Sequence, residues 1–214
     1  MKQEIEEMLR LQDAMNSKVH PEWVDQNFEW YRAIWTECAE MLDHYGWKWW
    51  KKQSPDREQV VLELIDIWHF GLSILVLNNQ NASDIASSLD QGFETKGVER
   101  ATDFRDLLES FTLDVLQTKS FNAQLFASLM NAIGLDFQEL YLSYVGKNVL
   151  NFFRQDHGYK DGSYHKVWNG REDNEHLVDV IAEHTRALTA LSTADSGANI
   201  QDSIYHALAA RYPK

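Results

Sequence analysis

Apolar residues recur at three- and four-residue steps through most of this 214-residue chain, which is the period of amphipathic helices. Proline stands only at positions 21, 55 and 213, so the helical pattern is rarely interrupted. The sequence therefore predicts an all-α fold, a helical bundle that forms one domain over residues 1–214. The predicted helices are 3–16, 23–46, 55–79, 82–91, 99–117, 120–133, 136–157, 173–192 and 197–211.

Local signals mark some of the helix starts. Ser54 followed by Pro55 is typical of an N-cap with proline at the first helical position. Asp136 and Glu139 are spaced as a capping pair before an apolar run. Two stretches, 46–54 and 157–170, break the helical pattern and mix aromatic residues with lysines. Such loops are typical of ligand contacts.

Charge and apolar content narrow the partners and the compartment. The net charge of -13 disfavours nucleic acid, which needs a broad basic face, but leaves a small anion open. The longest apolar run, 67–77, is shorter than the roughly 20 residues that span a membrane, so no membrane contact is predicted. Cys38 is the only cysteine, and the acidic N-terminal stretch lacks the apolar core of a signal peptide. We expect a cytoplasmic protein.

Two carboxylates interrupt the most apolar helix, VVLELIDIWHFGLSILVL, at Glu63 and Asp66. Apolar neighbours surround both residues and leave little of this helix to face solvent. A buried carboxylate without a partner costs several kcal/mol, so each needs a cation, a proton or a hydrogen-bond donor. The sequence therefore predicts that something positive or polar lies opposite them.

A second acidic pair with the same spacing lies upstream, at Glu37 and Glu40. The pairs Glu37 with Asp66 and Glu40 with Glu63 share one midpoint, inside the loop 46–54. An antiparallel helix hairpin would therefore bring all four carboxylates together. Like charges so close require a cation between them, and an oxygen-only set suits a hard divalent ion, Mg²⁺ or Mn²⁺. A single ExxE pair is common on solvated helix faces, but the apolar surroundings of the second pair favour a metal site.

A basic segment complements this acidic hairpin. Residues 147–171 carry five cations against two carboxylates, in a chain that is acidic overall. The cations are Lys147, Arg154, Lys160, Lys166 and Arg171. An acidic metal site and a basic segment together favour a metal–polyphosphate ligand.

These features resemble a known family. ExxE, a loop rich in Trp and Lys, and then ExxD resemble the metal-binding signature of all-α nucleoside triphosphate pyrophosphohydrolases, which include dimeric dUTPases and MazG-like enzymes. The segment KNVLNFFRQDHGYKDGSYHKVWNGREDN, residues 147–174, looks like the phosphate-binding and C-terminal motifs of dimeric dUTPases, and LQDAMN and WKWW are similar to that family too. The resemblance spans residues 9–176. Within it, 78–135 carries no matching motif and is expected to be a helical insert or a mobile region.

The resemblance implies a role for each matching residue. Glu37, Glu40, Glu63 and Asp66 would bind Mg²⁺, with Glu37 as the general base. Gln12 and Asn16 would read the uracil edge, because an amide both donates and accepts hydrogen bonds. The remaining substrate contacts would come from Trp47 or Trp49 on the base, Phe70 on the deoxyribose, and Lys147, Asn151, Arg154, Tyr164, Lys166 and Asn174 on phosphate and sugar.

The reaction implied is Mg²⁺-dependent hydrolysis of dUTP to dUMP and pyrophosphate, with attack at the β-phosphorus and activity on dUDP. The resemblance also implies a homodimer whose partner chain helps to close the base pocket. Trp23, Trp30 and Trp35 are expected at that interface, as exposed aromatics.

Three other interpretations stay open from the sequence. A pyrophosphohydrolase of the same superfamily could prefer another base, such as that of dCTP or of a modified nucleotide. A ferritin-like di-iron protein would use the DxxH pairs Asp66–His69 and Asp173–His176, although such sites normally carry ExxH. A non-catalytic helical interaction module would leave the converging carboxylates unexplained.

Overall fold

The computed structural model describes residues 1–94, 103–190 and 200–213. Helices dominate the described chain, which confirms the all-α prediction. The contacts within the chain divide it into two compact units, Met1–Tyr141 and Leu142–Lys214, called the first and second units below. The assignment of residues 1–214 to one domain stays a prediction.

The first unit is a helical bundle. Its short 3-10 helix covers Trp23–Gln26. Its α-helices are α1 (Lys2–Val19), α2 (Trp30–Tyr45), α3 (Arg57–Leu77), α4 (Ala82–Glu94), α5 (Phe104–Thr118) and α6 (Ala123–Ala132). Helix α7 (Phe137–Asp156) begins in this unit and continues into the second.

Helix α3 forms the centre of the first unit and is buried on nearly all sides. Its Trp68 ring stacks on Phe126, with centroids 5.1 Å apart. At Gly71 an added Cβ would lie 2.6 Å from the ring of Phe121, so only glycine permits this approach. By length and composition α3 could cross a membrane, yet 72% of its apolar window is buried inside the protein. Its apolar character is therefore accounted for by the core.

The predicted helix 23–46 is wrong in its first turns. A 3-10 helix ends at Gln26, and Asn27 takes a left-handed conformation with φ of 51°, which asparagine tolerates better than most residues. The ring of Phe28 packs edge-on against Trp30, although Phe28 stays 43% exposed. Helix α2 begins only at Trp30. The aromatic packing of this corner outweighs the helical spacing of its residues.

The capping predictions have mixed outcomes. Helix α3 begins at Arg57, and its N-cap is Asp56, whose side chain accepts a hydrogen bond from the backbone N–H of Gln59; Ser54 is therefore not the cap. The pairing at α7 is confirmed on one side, since Asp136 accepts from the backbone N–H of Glu139 at 2.8 Å.

In its described residues the segment 78–135, in which the sequence showed no motif, carries α4, α5 and α6 and the short turns around them. Helix α6 packs against both α4 and α5. Gly92 of α4 permits the closest approach, because a Cβ there would meet the backbone oxygen of Gln124. Residues 95–102, including the predicted start of the helix 99–117, lie outside the described part of the chain.

The second unit combines the end of α7 with a short hairpin and two further helices. Strands β1 (Val167–Trp168) and β2 (Arg171–Glu172) pair antiparallel around Asn169 and Gly170, both at positive φ. Helices α8 (Asp173–Ala190) and α9 (Ile200–Arg211) follow. The core consists of Val149, Leu150, Phe153, Trp168, Leu177, Val180, Ile204 and Leu208.

Glycine brings α7 and α8 close together in the second unit. A Cβ at Gly146 would lie 2.6 Å from Cδ1 of Ile181. The residue after this glycine is Lys147, and α8 begins at Asp173, directly after the hairpin. The close packing therefore places the start of α8 beside the polar residues of α7.

Candidate active site

The acidic group of the first unit lies between α2 and α3. Ligand oxygens of Glu37, Glu63 and Asp66 lie within 4.8 Å of one another. The two helices pack side by side, and the backbone N–H of Asp56 bonds the carbonyl of His44 at 3.0 Å where the connection returns. Three of the four carboxylates selected from the sequence thus come together. Glu40 is exposed and lies outside this group, although its charge still acts on Glu37.

The electrostatics of this group disfavour three free carboxylates. Burial, followed by the charge of Asp66 and the hydrogen bond and charge of Glu63, raises the pKa of Glu37 to about 8. Glu63 is itself only 8% exposed. Near neutral pH the group therefore holds a proton or requires a cation. Three clustered carboxylate oxygens with a buried member are a donor set that fits a hard divalent ion.

His44 adds a residue to this group that the sequence did not single out. Its Nε2 lies 3.5 Å from Oε1 of Glu63. The helical spacing could have indicated His44, because it stands four residues after Glu40 and therefore on the same side of α2. Its closeness to Glu63 nevertheless depends on the packing of α2 against α3.

Gln12 and Asn16 form a buried amide network with α3. The side-chain nitrogen of Gln12 donates to Oδ1 of Asn16 at 3.0 Å and to Oγ of Ser73 at 3.1 Å. Asn16 donates to the same Ser73 oxygen at 2.9 Å. Nδ1 of His69 lies 2.8 Å from Oε1 of Gln12 and must carry the hydrogen, because an amide oxygen only accepts.

Ser73 is the centre of this network. Its Oγ accepts from both amides and donates to the backbone carbonyl of His69 at 3.1 Å. Gln12 and Asn16 are almost fully buried. The structure thus brings together the two amides selected from the sequence and adds Ser73 and His69, whose role a one-dimensional pattern does not reveal.

The aromatic loop between α2 and α3 lines a cavity of about 440 Å³. Trp47 donates from Nε1 to Asp43 at 3.0 Å and packs edge-on against Trp50. Trp49 is 90% exposed and contacts Trp50. The cavity lining is Gly46, Trp47, Lys48, Trp49, Lys51, Gln53 and Arg105. Phe70, on α3, lies against Trp30.

The second unit gathers most of the predicted phosphate contacts in one hydrogen-bonded network. Lys147, only 3% exposed, donates to Oδ1 of Asn174 at 3.2 Å. Arg154 donates to Asn151 at 3.2 Å and to Asn174 at 3.3 Å. Lys166 instead forms an ion pair with Glu172 at 2.9 Å near the surface.

Asp173 organises this network, although the sequence offered it only as a distant alternative. Its carboxylate accepts from Nε and from a terminal nitrogen of Arg154, both at 2.8 Å, and from the hydroxyl of Tyr164 at 2.8 Å. Burial raises the pKa of Asp173, but the hydrogen bond and charge of Arg154 and the bond from Tyr164 outweigh it, so that the pKa lies below its usual range. A bidentate pair of this kind fixes the plane of the guanidinium.

Comparison with known proteins supplies the family. A family model described as dUTPase matches residues 4–159. The match includes the acidic group, the amide pair and the polar face of α7, and it runs through 78–135. No curated protein matches the chain. The matched region is more than half of the sequence, and the described residues form an all-α fold with one short two-stranded hairpin. The chain therefore belongs to the dimeric all-α dUTPase family, and its activity is the hydrolysis of dUTP to dUMP.

Proposed function

We propose that this hydrolysis of dUTP depends on Mg²⁺, with Mn²⁺ as a substitute, held by Glu37, Glu63 and Asp66 and completed by Glu40. The observation that supports the proposal is the convergence of three carboxylates within 4.8 Å between α2 and the apolar helix α3. The donors are all hard oxygens, as these ions prefer.

The residues around the metal would divide the chemical work. Bound Mg²⁺ would neutralise the phosphate charges and acidify an attacking water. Glu37 would accept the proton of that water, with the attack directed at the β-phosphorus. A nearby cation favours the ionised form of Glu37, the form that a base requires.

Gln12 and Asn16 would read the base. Their amides carry both donors and acceptors, which a uracil edge requires. In the structure the two amides bond each other and Ser73, so base binding would exchange some of these bonds for bonds to uracil. Trp47 or Trp49 would cover the ring, and Phe70 would pack against the deoxyribose.

Phosphate and sugar contacts would come from the second unit. Two cations and an amide, Lys147, Arg154 and Asn151, follow helical spacing on α7. Tyr164 and Asn174 share hydrogen bonds with that network, which supports their assignment. Lys166 would complete the set after leaving Glu172.

We further propose activity on dUDP, a homodimer, a cytoplasmic location and no nucleic-acid partner. Trp35, 42% exposed, is an available interface residue. Trp23 is not: it is 2% exposed and donates to Asp13, so its expected place at the surface is wrong.

The rival interpretations meet specific contacts in the structure. A di-iron site would need His69 and His176 as ligands, but His69 faces Gln12 and Nε2 of His176 lies 2.9 Å from the backbone oxygen of Trp168. Asp173 is likewise paired with Arg154. These contacts disfavour iron. A panel of nucleotides distinguishes dUTP hydrolysis from a different base preference.

The decisive experiment is a nucleotide panel with Mg²⁺, read by monophosphate and pyrophosphate release. We expect hydrolysis of dUTP and dUDP, loss of activity in EDTA, and recovery with Mg²⁺ or Mn²⁺. E63Q should lose at least about a hundredfold in kcat, whereas E58Q, an exposed change on the same helix, should match wild type. Full activity in EDTA or in E63Q would overturn the metal proposal, and equal rates on dCTP would overturn the base assignment.

A further inference from the structure

Tyr212, immediately after α9, inserts its side chain into the aromatic core of the second unit. Its backbone N–H bonds the carbonyl of Leu208 at 3.0 Å, so it continues the last turn of the helix. The ring packs edge-on against Phe153 and Trp168, at centroid distances of 5.3 and 5.2 Å. It also stacks on Tyr164, with centroids 5.6 Å apart and ring planes only 10° from parallel.

The hydroxyl of Tyr212 makes a second contact to the same loop. It accepts a hydrogen bond from the backbone N–H of His165 at 3.2 Å. Tyr212 therefore holds both the ring face of Tyr164 and the peptide that follows it. Two contacts from one rigid side chain define the direction in which Tyr164 points.

Tyr164 carries this constraint to the charged network. Its hydroxyl donates to Oδ2 of Asp173, the same oxygen that accepts from Nε of Arg154. A displaced Tyr164 would leave that oxygen with one donor fewer. The bidentate pairing would then be free to shift, and with it the plane of the guanidinium.

Helix α9 is itself well anchored. Ile204 and Leu208 are buried in the core of the second unit. Arg211 donates to the backbone carbonyl of His176 at 2.8 Å and pairs with Glu183. Tyr212 is thus presented from a fixed element. Tyr164, Asp173 and α9 all lie beyond residue 159, where the family match ends.

We propose that Tyr212 is a positioning residue for the polyphosphate of the substrate. By stacking on Tyr164 it fixes the Tyr164–Asp173 contact and so orients the Arg154 guanidinium toward phosphate oxygens. This inference rests on the proposed phosphate-binding role of Arg154 and its neighbours. It assigns to the C-terminal helix a part in substrate affinity that the matched region does not contain.

The test uses inorganic pyrophosphate with Mg²⁺ as the probe, measured by titration calorimetry on the full chain, together with KM and kcat for dUTP. Y212L removes the stack and the hydroxyl. We expect its pyrophosphate affinity to fall roughly tenfold, equivalent to about 1.4 kcal/mol, and KM to rise while kcat changes less. Y212F keeps the stack, loses only the bond from His165, and should give a smaller change in the same direction.

Tyr205 provides a matched control on the same helix. Its ring also packs edge-on against Phe153, at 5.2 Å, and its hydroxyl donates to Asp156. Y205L should therefore loosen α9 as Y212L does, as judged by thermal unfolding, but leave pyrophosphate affinity near that of wild type. A loss of affinity in Y205L that equals the loss in Y212L would overturn the positioning role.

R154Q distinguishes the proposed phosphate role of Arg154 from the positioning role of Tyr212. If R154Q leaves pyrophosphate affinity unchanged, the proposed phosphate role of Arg154 fails and the inference fails with it. If R154Q weakens binding but Y212L and Y212F do not, the phosphate role stands and the role of Tyr212 is wrong. If Y212L does not fold, Y212M, which also removes the ring stack on Tyr164, takes its place in the same comparison.

Discussion

His44 and Glu63 face each other from neighbouring helices, with Nε2 of the histidine 3.5 Å from Oε1 of the carboxylate. Glu63 is also a member of the acidic group between α2 and α3. A partner of this kind orients a ligand without binding the metal, and its loss typically lowers metal affinity by tenfold or more.

H44A should therefore bind Mg²⁺ roughly tenfold more weakly than wild type, because Glu63 loses the contact that orients it. Titration calorimetry with Mg²⁺ alone measures the change. H206A, which removes an exposed histidine of α9, is the control and should bind as wild type does. Equal affinities of H44A and H206A would show that His44 plays no part in orienting the ligand.

The raised pKa of Glu37 predicts how stability depends on pH without metal. Burial and the neighbouring carboxylates raise this pKa from its ordinary 4.5 to about 8, so between these values the folded chain binds more protons than the unfolded chain. The free energy of unfolding contributed by Glu37 should therefore decrease as the pH rises through this range. Thermal unfolding in EDTA from about pH 5 to about pH 9 measures this decrease in stability.

E37Q is the matched variant for this experiment, since it keeps the size of the side chain and cannot titrate. The melting temperature of wild type should fall relative to that of E37Q as the pH rises. Parallel curves for the two proteins would contradict the predicted contribution of Glu37.

Ser73 should control the choice of base more than the rate of hydrolysis. S73A removes the oxygen that accepts from Gln12 and Asn16, and buried donors left unsatisfied cost about 1–3 kcal/mol. We expect the ratio of kcat/KM for dUTP over dCTP to fall about tenfold. S73T should restore part of the ratio, and S87A, on the exposed side of α4, should leave it unchanged. If S73A has the same ratio as wild type, Ser73 plays no part in base selection.

Asp173 should stabilise the fold in a way that depends on its charge. D173N keeps the shape of the side chain but removes the carboxylate charge that pairs with the mostly buried Arg154, so at pH 7 it should lose about 3 kcal/mol of unfolding free energy. The pKa of Asp173 is lowered in the folded state, and its contribution is therefore present above 3.8 and lost as the pH falls through the folded value.

Urea unfolding measures this prediction: the gap between wild type and D173N should shrink in acid. D90N, an exposed change beyond the first turn of α4, is the control and should follow wild type at every pH. A gap that stays constant with pH would mean that the charge of Asp173 is not what stabilises the fold.

The hairpin of α2 and α3 could be predicted because its evidence is periodic and local. The helical spacing and the shared midpoint of the acidic pairs can both be read from the sequence, and they predicted that Glu37 and Asp66 would lie close together, as they do. The break at Asn27 could not be predicted in the same way. The residues around it keep helical spacing, which does not reveal the left-handed Asn27 or the contact of Phe28 with Trp30 that accompanies the turn.

The supporting contacts of the candidate site were hidden for a related reason. Ser73 stands 61 residues from Gln12, and Asp173 stands 19 residues from Arg154. A serine in an apolar helix and an aspartate at a helix start each have an ordinary local explanation. Their partners become visible only when α1 packs on α3, and when Gly146 lets α8 approach α7.

If Gln12 and Asn16 read the base as proposed, their network with Ser73 would also affect how the empty enzyme selects a nucleotide. In this arrangement the amides bond each other and Ser73. A base therefore binds favourably only if its hydrogen bonds are at least as good as those it replaces. A base with the wrong edge would leave buried amides unpaired, and most molecules in the population would keep the closed arrangement. Apparent affinity for every nucleotide then scales with the fraction of molecules that open. That factor is the same for every nucleotide, so the resting network would set how strongly any nucleotide binds, while rejection of the wrong base would come from the amides that this base leaves unpaired.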